Sequence, residues 1–199
     1  MVDITTEYVA TAASRASAAE GRTSGLTGVF VRLVHEHSEL TTLMLKLRLS
    51  SDLGLREQLF PTVRDAVLCH ERAEAQIVYL AMSKKEQTRQ IAAKHRRTAG
   101  ELETLVEHLC GLDYASASWD PMFALLFDAF EQHTIEEESY YFPIAQRVLG
   151  PAKAEALLAD YDAARGPNAR KSDEFSYARG AVCAVSEPGR VRARRRPFS

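Results

Sequence analysis

Two copies of one pattern, His70-x-x-x-Glu74 and His133-x-x-x-Glu137, hold the residues of this chain best suited to chemistry. Each lies in a helix-forming stretch, where residues four apart stand about one turn from each other on the same face. An imidazole nitrogen and a carboxylate oxygen stacked in this way offer two ligands to one cation. His37 and His95 precede the two motifs by 33 and 38 residues, so the order His, then His-x-x-x-Glu, occurs twice. After each Glu the likeness continues five residues on, at Tyr79 and Phe142, with Leu80 and Pro143 next. An internal repeat of helical hairpins would deliver two imidazoles and one carboxylate from each half to a common centre.

The elements that must position these groups follow from periodicity and punctuation. The pattern predicts helices over 26–49, 55–82, 86–110 and 121–149, and a short fifth over 151–164. Ser50-Ser51-Asp52-Leu53-Gly54 separates the first two, and Ser83-Lys84-Lys85-Glu86 has the form of a capping box for the third. Asp120-Pro121 is expected to be an N-cap followed by proline at the first helical position, and Gly150-Pro151 to end the fourth helix. Connections this short make successive helices antiparallel neighbours. The predicted fold is therefore all-α, an antiparallel up-down-up-down four-helix bundle with the fifth helix as a lid on its end.

A helix turns toward its neighbours the positions found at alternating three- and four-residue steps. In the first helix these are Phe30, Leu33, His37, Leu40, Met44 and Leu47, and in the second Phe60, Val63, Val67, His70, Glu74, Ile77 and Ala81. The third contributes Ile91, His95, Thr98, Leu102, Leu105 and Leu109, and the fourth Phe123, Leu126, Phe130, His133, Glu137, Tyr140 and Ile144. Apart from Thr98 and the Tyr140 hydroxyl, the polar members are four imidazoles and two carboxylates. Burying these without partners would cost several kcal/mol each, so they must pair or coordinate a metal.

Four imidazoles and two carboxylates are too many donors for one tetrahedral zinc. They suit two octahedral first-row metals bridged by the carboxylates. Nitrogen and oxygen donors without thiolate favour iron, with manganese next, and the expected site is a non-haem di-iron centre.

These residues resemble the haemerythrin-like domain, the His-His-Glu (HHE) cation-binding family. Its pattern of His, His-x-x-x-Glu, His, His-x-x-x-Glu falls on His37; His70 and Glu74; His95; His133 and Glu137. The words Leu68-Cys69-His70-Glu71-Arg72-Ala73-Glu74 and His133-Thr134-Ile135-Glu136-Glu137-Glu138, then Tyr141-Phe142-Pro143, carry the likeness, which covers about residues 28–149. The oxygen-carrying members have a second histidine one turn along the third helix and an aspartate in the fourth. This chain has Ala99 and Glu137 there. The resemblance implies handling or sensing of oxygen, peroxide or nitric oxide at an exchangeable metal position, including a peroxidase- or catalase-like activity. Iron-responsive regulation, iron-centre repair and iron storage are the alternatives it leaves open, and fold does not choose among them.

Composition bounds the rest. The 199 residues, 46% hydrophobic and 8% aromatic, are enough for one core with appendages. No apolar run reaches the roughly 20 residues that span a bilayer, and the start of the chain lacks a basic leader or apolar h-region, so a cytoplasmic protein is expected. Three cysteines, Cys69, Cys110 and Cys183, are odd in number and widely spaced, which argues against a disulfide framework. The formal charge of −2 conceals an asymmetry. Residues 1–164 hold 16 Lys/Arg against 24 Asp/Glu, and residues 165–199 hold 9 against 3. The organisation expected is a flexible leader over 1–25, the helical domain over 26–164 and a basic, disordered tail over 165–199, with no nucleic-acid or membrane partner.

Some neighbours of the motifs receive definite expectations. Glu71, Glu136 and Glu138 fall off the seam and are expected to be solvated, with hydrogen bonding to a ligand imidazole as their other role. Tyr140 is expected in core packing with its hydroxyl hydrogen-bonded, and is the first candidate for a phenol near the metals. His35 should be a surface residue, Cys69 a small buried apolar group, and Pro143 a kink in the fourth helix. Gly100 permits either close helix contact or nothing in particular.

Overall fold

The computed structural model describes residues 22–165, and among them there are helices and no strand. α1 spans Val29–Arg48, α2 Leu53–Ala73, α3 Leu80–Ser83, α4 Glu86–Cys110, α5 Trp119–Glu136, α6 Phe142–Leu149 and α7 Pro151–Arg165. α2 runs into α3 through a π-helical turn, Glu74–Tyr79, and α5 into α6 through another, Glu137–Tyr141. Each π turn begins on the Glu of a His-x-x-x-Glu motif. The expected leader and tail lie almost wholly outside the described residues, as does Cys183. No helix of the described residues is long and apolar enough to cross a membrane.

α1 packs on α2, α5 and α7, and α4 packs on α3 and α5, so the long helices enclose one interior. That interior holds two apolar clusters. One gathers Val29, Phe30, Leu33, Val34, Val78, Met82, Phe142 and Tyr161 among others, and the second gathers Leu40, Met44, Phe60, Val67, Leu102, Trp119, Phe123 and Phe130. The histidines and carboxylates of the motifs fall between them on every long helix.

Local punctuation differs in part from expectation. Asp52 caps α2, its carboxylate accepting from the Gly54 and Leu55 backbone N–H groups, and the helix begins two residues earlier than its spacing suggested. The Ser83–Glu86 capping box does not form. Lys85 is the N-cap of α4 without a side-chain cap, and the Ser83 hydroxyl instead donates back to the Leu80 carbonyl. Asp120 is not an N-cap either: α5 starts at Trp119, and the Asp120 carboxylate is taken by Arg56, whose guanidinium also lies over the Trp119 ring. Gly28, at φ 53°, ends the approach to α1 where a Cβ would stand 2.4 Å from the Ala154 carbonyl oxygen, so only glycine admits α7 so close. Gly100 faces open space and allows no close contact.

Pro143 produces no simple kink. The register change comes before it, in the π turn Glu137–Tyr141, and Pro143 follows in the first turn of α6, where a missing N–H costs little.

Candidate metal centre

The two π turns decide what faces the interior. A π turn holds about one residue more than an α turn, so the seam beyond it shifts by one position. After Glu74 the buried residues are Val78, Tyr79 and Met82, with Ile77 and Ala81 only partly covered. After Glu137 they are Tyr141, Phe142 and Ala145, while Tyr140 is 64% exposed. Tyr140 is therefore no phenol of the centre. Its place is taken by Tyr79, buried five residues past Glu74, as Phe142 is five past Glu137. In α4 the buried face runs Thr88, Ala92, His95, Ala99, Leu102, Val106 and Leu109, which leaves Ile91, Thr98 and Leu105 at its edge.

His37, His70, Glu74, His95, His133 and Glu137 are all brought into this layer, none more than 5% exposed. Two groups of potential ligand atoms, each within 4.8 Å of one another, share one carboxylate: His37, His70 and Glu74, and Glu71, Glu74, His95 and His133. Glu137 joins them, with Oε2 3.4 Å from His37 Nε2 and Oε1 3.5 and 3.4 Å from His95 Nε2 and His133 Nε2. Glu74 and Glu137 thus each reach imidazoles of both halves.

Glu71 corrects the expectation of a solvated flank. It is 2% exposed, and its Oε2 lies 3.5 Å from His95 Nε2 and 3.3 Å from His133 Nε2. The spacing that could have found it is Glu71-x-x-Glu74, three residues apart and so on one helical face. Glu138 is also buried and accepts from His37 Nδ1–H at 2.9 Å, its other oxygen paired with Arg22. Glu136 is the flank that stays at the surface, paired with Lys94. His35 is exposed and Cys69 is buried, as expected of them.

The imidazoles are aimed by their outer nitrogens. A carboxylate only accepts, so Glu138 fixes the proton of His37 on Nδ1 and turns Nε2 inward. His70 Nδ1–H is shared between Glu36 Oε2 and Tyr161 Oη, each 3.1 Å away. His133 Nδ1–H donates to the Thr98 hydroxyl, which itself donates to the His95 carbonyl. His95 is held through its ring, stacked on Tyr79 with centroids 3.5 Å apart and planes 12° apart. Phe142 stacks on His37 in the other half at 5.8 Å and 24°. The aromatic residue of each half covers a histidine of the opposite half.

Glu36, next to His37 on α1, organises the outer layer. Its buried carboxylate accepts from Arg32, Tyr161 and His70 and pairs with Arg165. Burial raises its pKa, but the Arg165 charge and the His70 hydrogen bond outweigh this and hold it at about 2. Neither Glu36 nor Tyr161 was singled out by the seam; the only hint of Tyr161 was the spacing Ala154, Leu157, Tyr161 along α7.

The electrostatics of the layer fit a cation. Burial lowers the histidine pKa values, yet the hydrogen bonds and charges of the carboxylates prevail. His95 stands at about 10 through Glu71 and Glu74, His133 at about 9 through Glu137 and Glu71, and His37 well above its ordinary value through Glu138 and Glu74. Burial also raises Glu74, but His70, His37 and His95 hold it well below the usual carboxylate range. Burial and the neighbouring Glu74 charge together raise Glu137. The inner layer thus concentrates carboxylates whose charge is met by protons on His37, His95 and His133. The inward atoms His37 Nε2, His70 Nε2, His133 Nε2, both Glu71 oxygens, Glu74 Oε1 and Glu137 Oε2 are buried without a hydrogen-bond partner. Buried polar atoms are seldom left so, and an orphaned set converging on one place is what a metal would satisfy.

A family model, the Hemerythrin HHE cation binding domain, matches residues 29–165. The chain belongs to this family. The match takes in every long helix and extends through α7, farther than the residues 28–149 over which the sequence motifs alone carry the likeness. No curated protein and no solved structure gives a significant match. As an HHE domain, the chain is a cation-binding protein, and its buried His/Glu layer is the part of the molecule able to hold a metal.

Proposed function

We propose that this HHE domain holds a non-haem di-iron centre and uses it to handle or sense oxygen, peroxide or nitric oxide. One observation carries the reading: two groups of buried imidazoles and carboxylates share Glu74, so one carboxylate serves two adjacent positions. The residues that would hold the metals are His37, His70, Glu74, His95, His133 and Glu137, the two carboxylates being the groups that could serve both ions. Glu71 takes the place of the histidine that Ala99 replaces, since its carboxylate stands beside His95 and His133.

Iron bound there would supply a redox-active Lewis acid with room for a small exchangeable ligand. The protein's own residues do the remainder. Glu138, Glu36 and Thr98 accept the Nδ1 protons and orient Nε2. Phe142 and Tyr79 cover the rings of His37 and His95 and keep water from their faces. Tyr79 holds a proton at its hydroxyl, which donates to Glu137 Oε1, and burial keeps that phenol protonated far above its ordinary range. The reading places the long helices up-down-up-down and the protein in the cytoplasm. A second reading, an iron-responsive regulator without turnover, uses the same centre and differs only in whether the bound ligand is consumed.

The test is metal analysis and the optical spectrum of protein produced with iron, in parallel with His70→Ala and Glu71→Gln. About two irons per chain and an oxo-to-iron charge-transfer band are expected in the parent. His70→Ala should lose metal, and Glu71→Gln should keep the site in weakened form. Equal metal in the parent and His70→Ala would sink the assignment. Peroxide consumption above that of free iron separates turnover from sensing.

A further inference from the structure

Outside the His/Glu layer, a groove of about 600 Å³ runs between the helix that passes from Gln76 to Lys85 and the segment from Leu149 to Asp160. Its size falls in the range of small-molecule sites, about 300–1,000 Å³. Ile77, Leu80, Ala81, Leu149 and Leu157 line it as an aliphatic strip beside the polar Gln76 and the charged rim, and no aromatic ring does. Leu80 is 51% exposed, unusual for a large side chain amid its own kind. Three lysines, Lys84, Lys85 and Lys153, border this floor against one acid, Asp160. All three are exposed, and none has an ion pair among the described residues.

We propose that the groove binds a fatty carboxylate, its alkyl chain along the aliphatic floor and its head among the lysines. The chemistry selects this class in two steps. An aliphatic floor without rings has nothing to stack a base or an aromatic ligand on, and it gains by removing alkyl surface from water. Lysine is a hydrated point charge, which can meet a single carboxylate, and no arginine lines the groove to offer the two-pronged fork that selects phosphate. The excess of lysine over Asp160 gives the charge complementarity that a neutral or cationic amphiphile would lack. The site is independent of the metal reading, because none of its lining residues is a proposed ligand.

The test is calorimetric titration of the full chain, with and without bound metal, using dodecanoate below its micellar range as the probe. Saturable one-to-one binding is expected, unchanged by metal. Lys84→Glu combined with Lys153→Glu should weaken it about 10-fold or more, the worth of a lost charged contact. Both positions are exposed, so helicity by circular dichroism should match the parent. Leu80→Asp, also at an exposed position, should weaken binding through the floor instead. Absence of dodecanoate binding, equal affinity for the neutral dodecyl maltoside, tighter binding of dodecyl phosphate, or unchanged affinity in the lysine variant would each overturn the proposal.

Discussion

Tyr79 is tied to the centre twice, by a ring lying 3.5 Å from the plane-parallel His95 imidazole and by a hydroxyl donating to Glu137 Oε1. The two ties can be cut separately. Tyr79→Phe keeps the stack and removes the donor from a buried carboxylate, which should lower the stability of the metal-free protein by about 1–3 kcal/mol. Tyr79→Ala removes both and leaves a cavity, with an expected loss of about 3–5 kcal/mol. Urea denaturation of the two variants checks the order: equal losses would mean that the stacked ring contributes nothing, and no loss in Tyr79→Phe that the hydroxyl contributes nothing.

Stability of the metal-free protein should fall as pH rises through the alkaline range. The folded pKa values of His95 and His133, about 10 and about 9, lie above the ordinary histidine value. Stabilisation from a raised pKa is fully present below the unfolded value, near 6.5, and is lost as pH climbs through the folded values. Thermal midpoints of chelated protein should therefore decline from about pH 7 to about pH 10. Metal loading should flatten this profile and release protons, since the cation replaces the protons the imidazoles carried. A dye reporting no proton release at pH 7 would contradict the assignment of those charges.

Glu36→Gln should destabilise the fold, although Glu36 is not itself a proposed ligand. The carboxylate answers Arg32, Arg165, His70 and Tyr161 at once, and the substitution takes away the charged acceptor they share. Breaking a buried charged set in this way costs about 3–5 kcal/mol. Because Glu36 is held at about 2 against an ordinary value of 4.5, the contribution of its charge is complete above about pH 5 and is lost progressively as pH falls from there through about 2. Chemical denaturation of Glu36→Gln beside Glu57→Gln, an exposed control, measures the difference.

Gly28→Ala should separate α7 from α1. Its φ of 53° is strained for alanine, and the added Cβ would meet the Ala154 and Glu155 backbone at 2.4–2.6 Å, where nothing flexible can yield. A loss of about 1–3 kcal/mol follows from forced backbone shifts. Hydrogen exchange should show amides of α7 opening before those of α4. Uniform exchange in parent and variant would refute a local effect.

The histidines and the two motif glutamates were legible because each sits at a step of the α-helical seam and recurs in the repeat. Tyr140 misled for a physical reason: counting by α-helical steps fails once a π turn admits an extra residue, and both π turns begin on the very glutamates the counting used. The five-residue offset to Tyr79 and Phe142 was the trace of that turn in the sequence. Glu36 was not legible, and Glu138 only as the second of two roles, because they serve histidines on other helices or stand beside one on their own, and spacing within one helix does not report partners across the bundle. Glu71 lay between these cases, visible through Glu74 three residues on and hidden by a charge that helix surfaces usually present to water.

The two apolar clusters are divided by the ionisable layer on every long helix, so the bundle behaves as two oil drops held together by a polar hinge. α1, α2 and α4 each contribute side chains to both drops, and a cation that satisfies the layer between them would act as a keystone for the whole bundle.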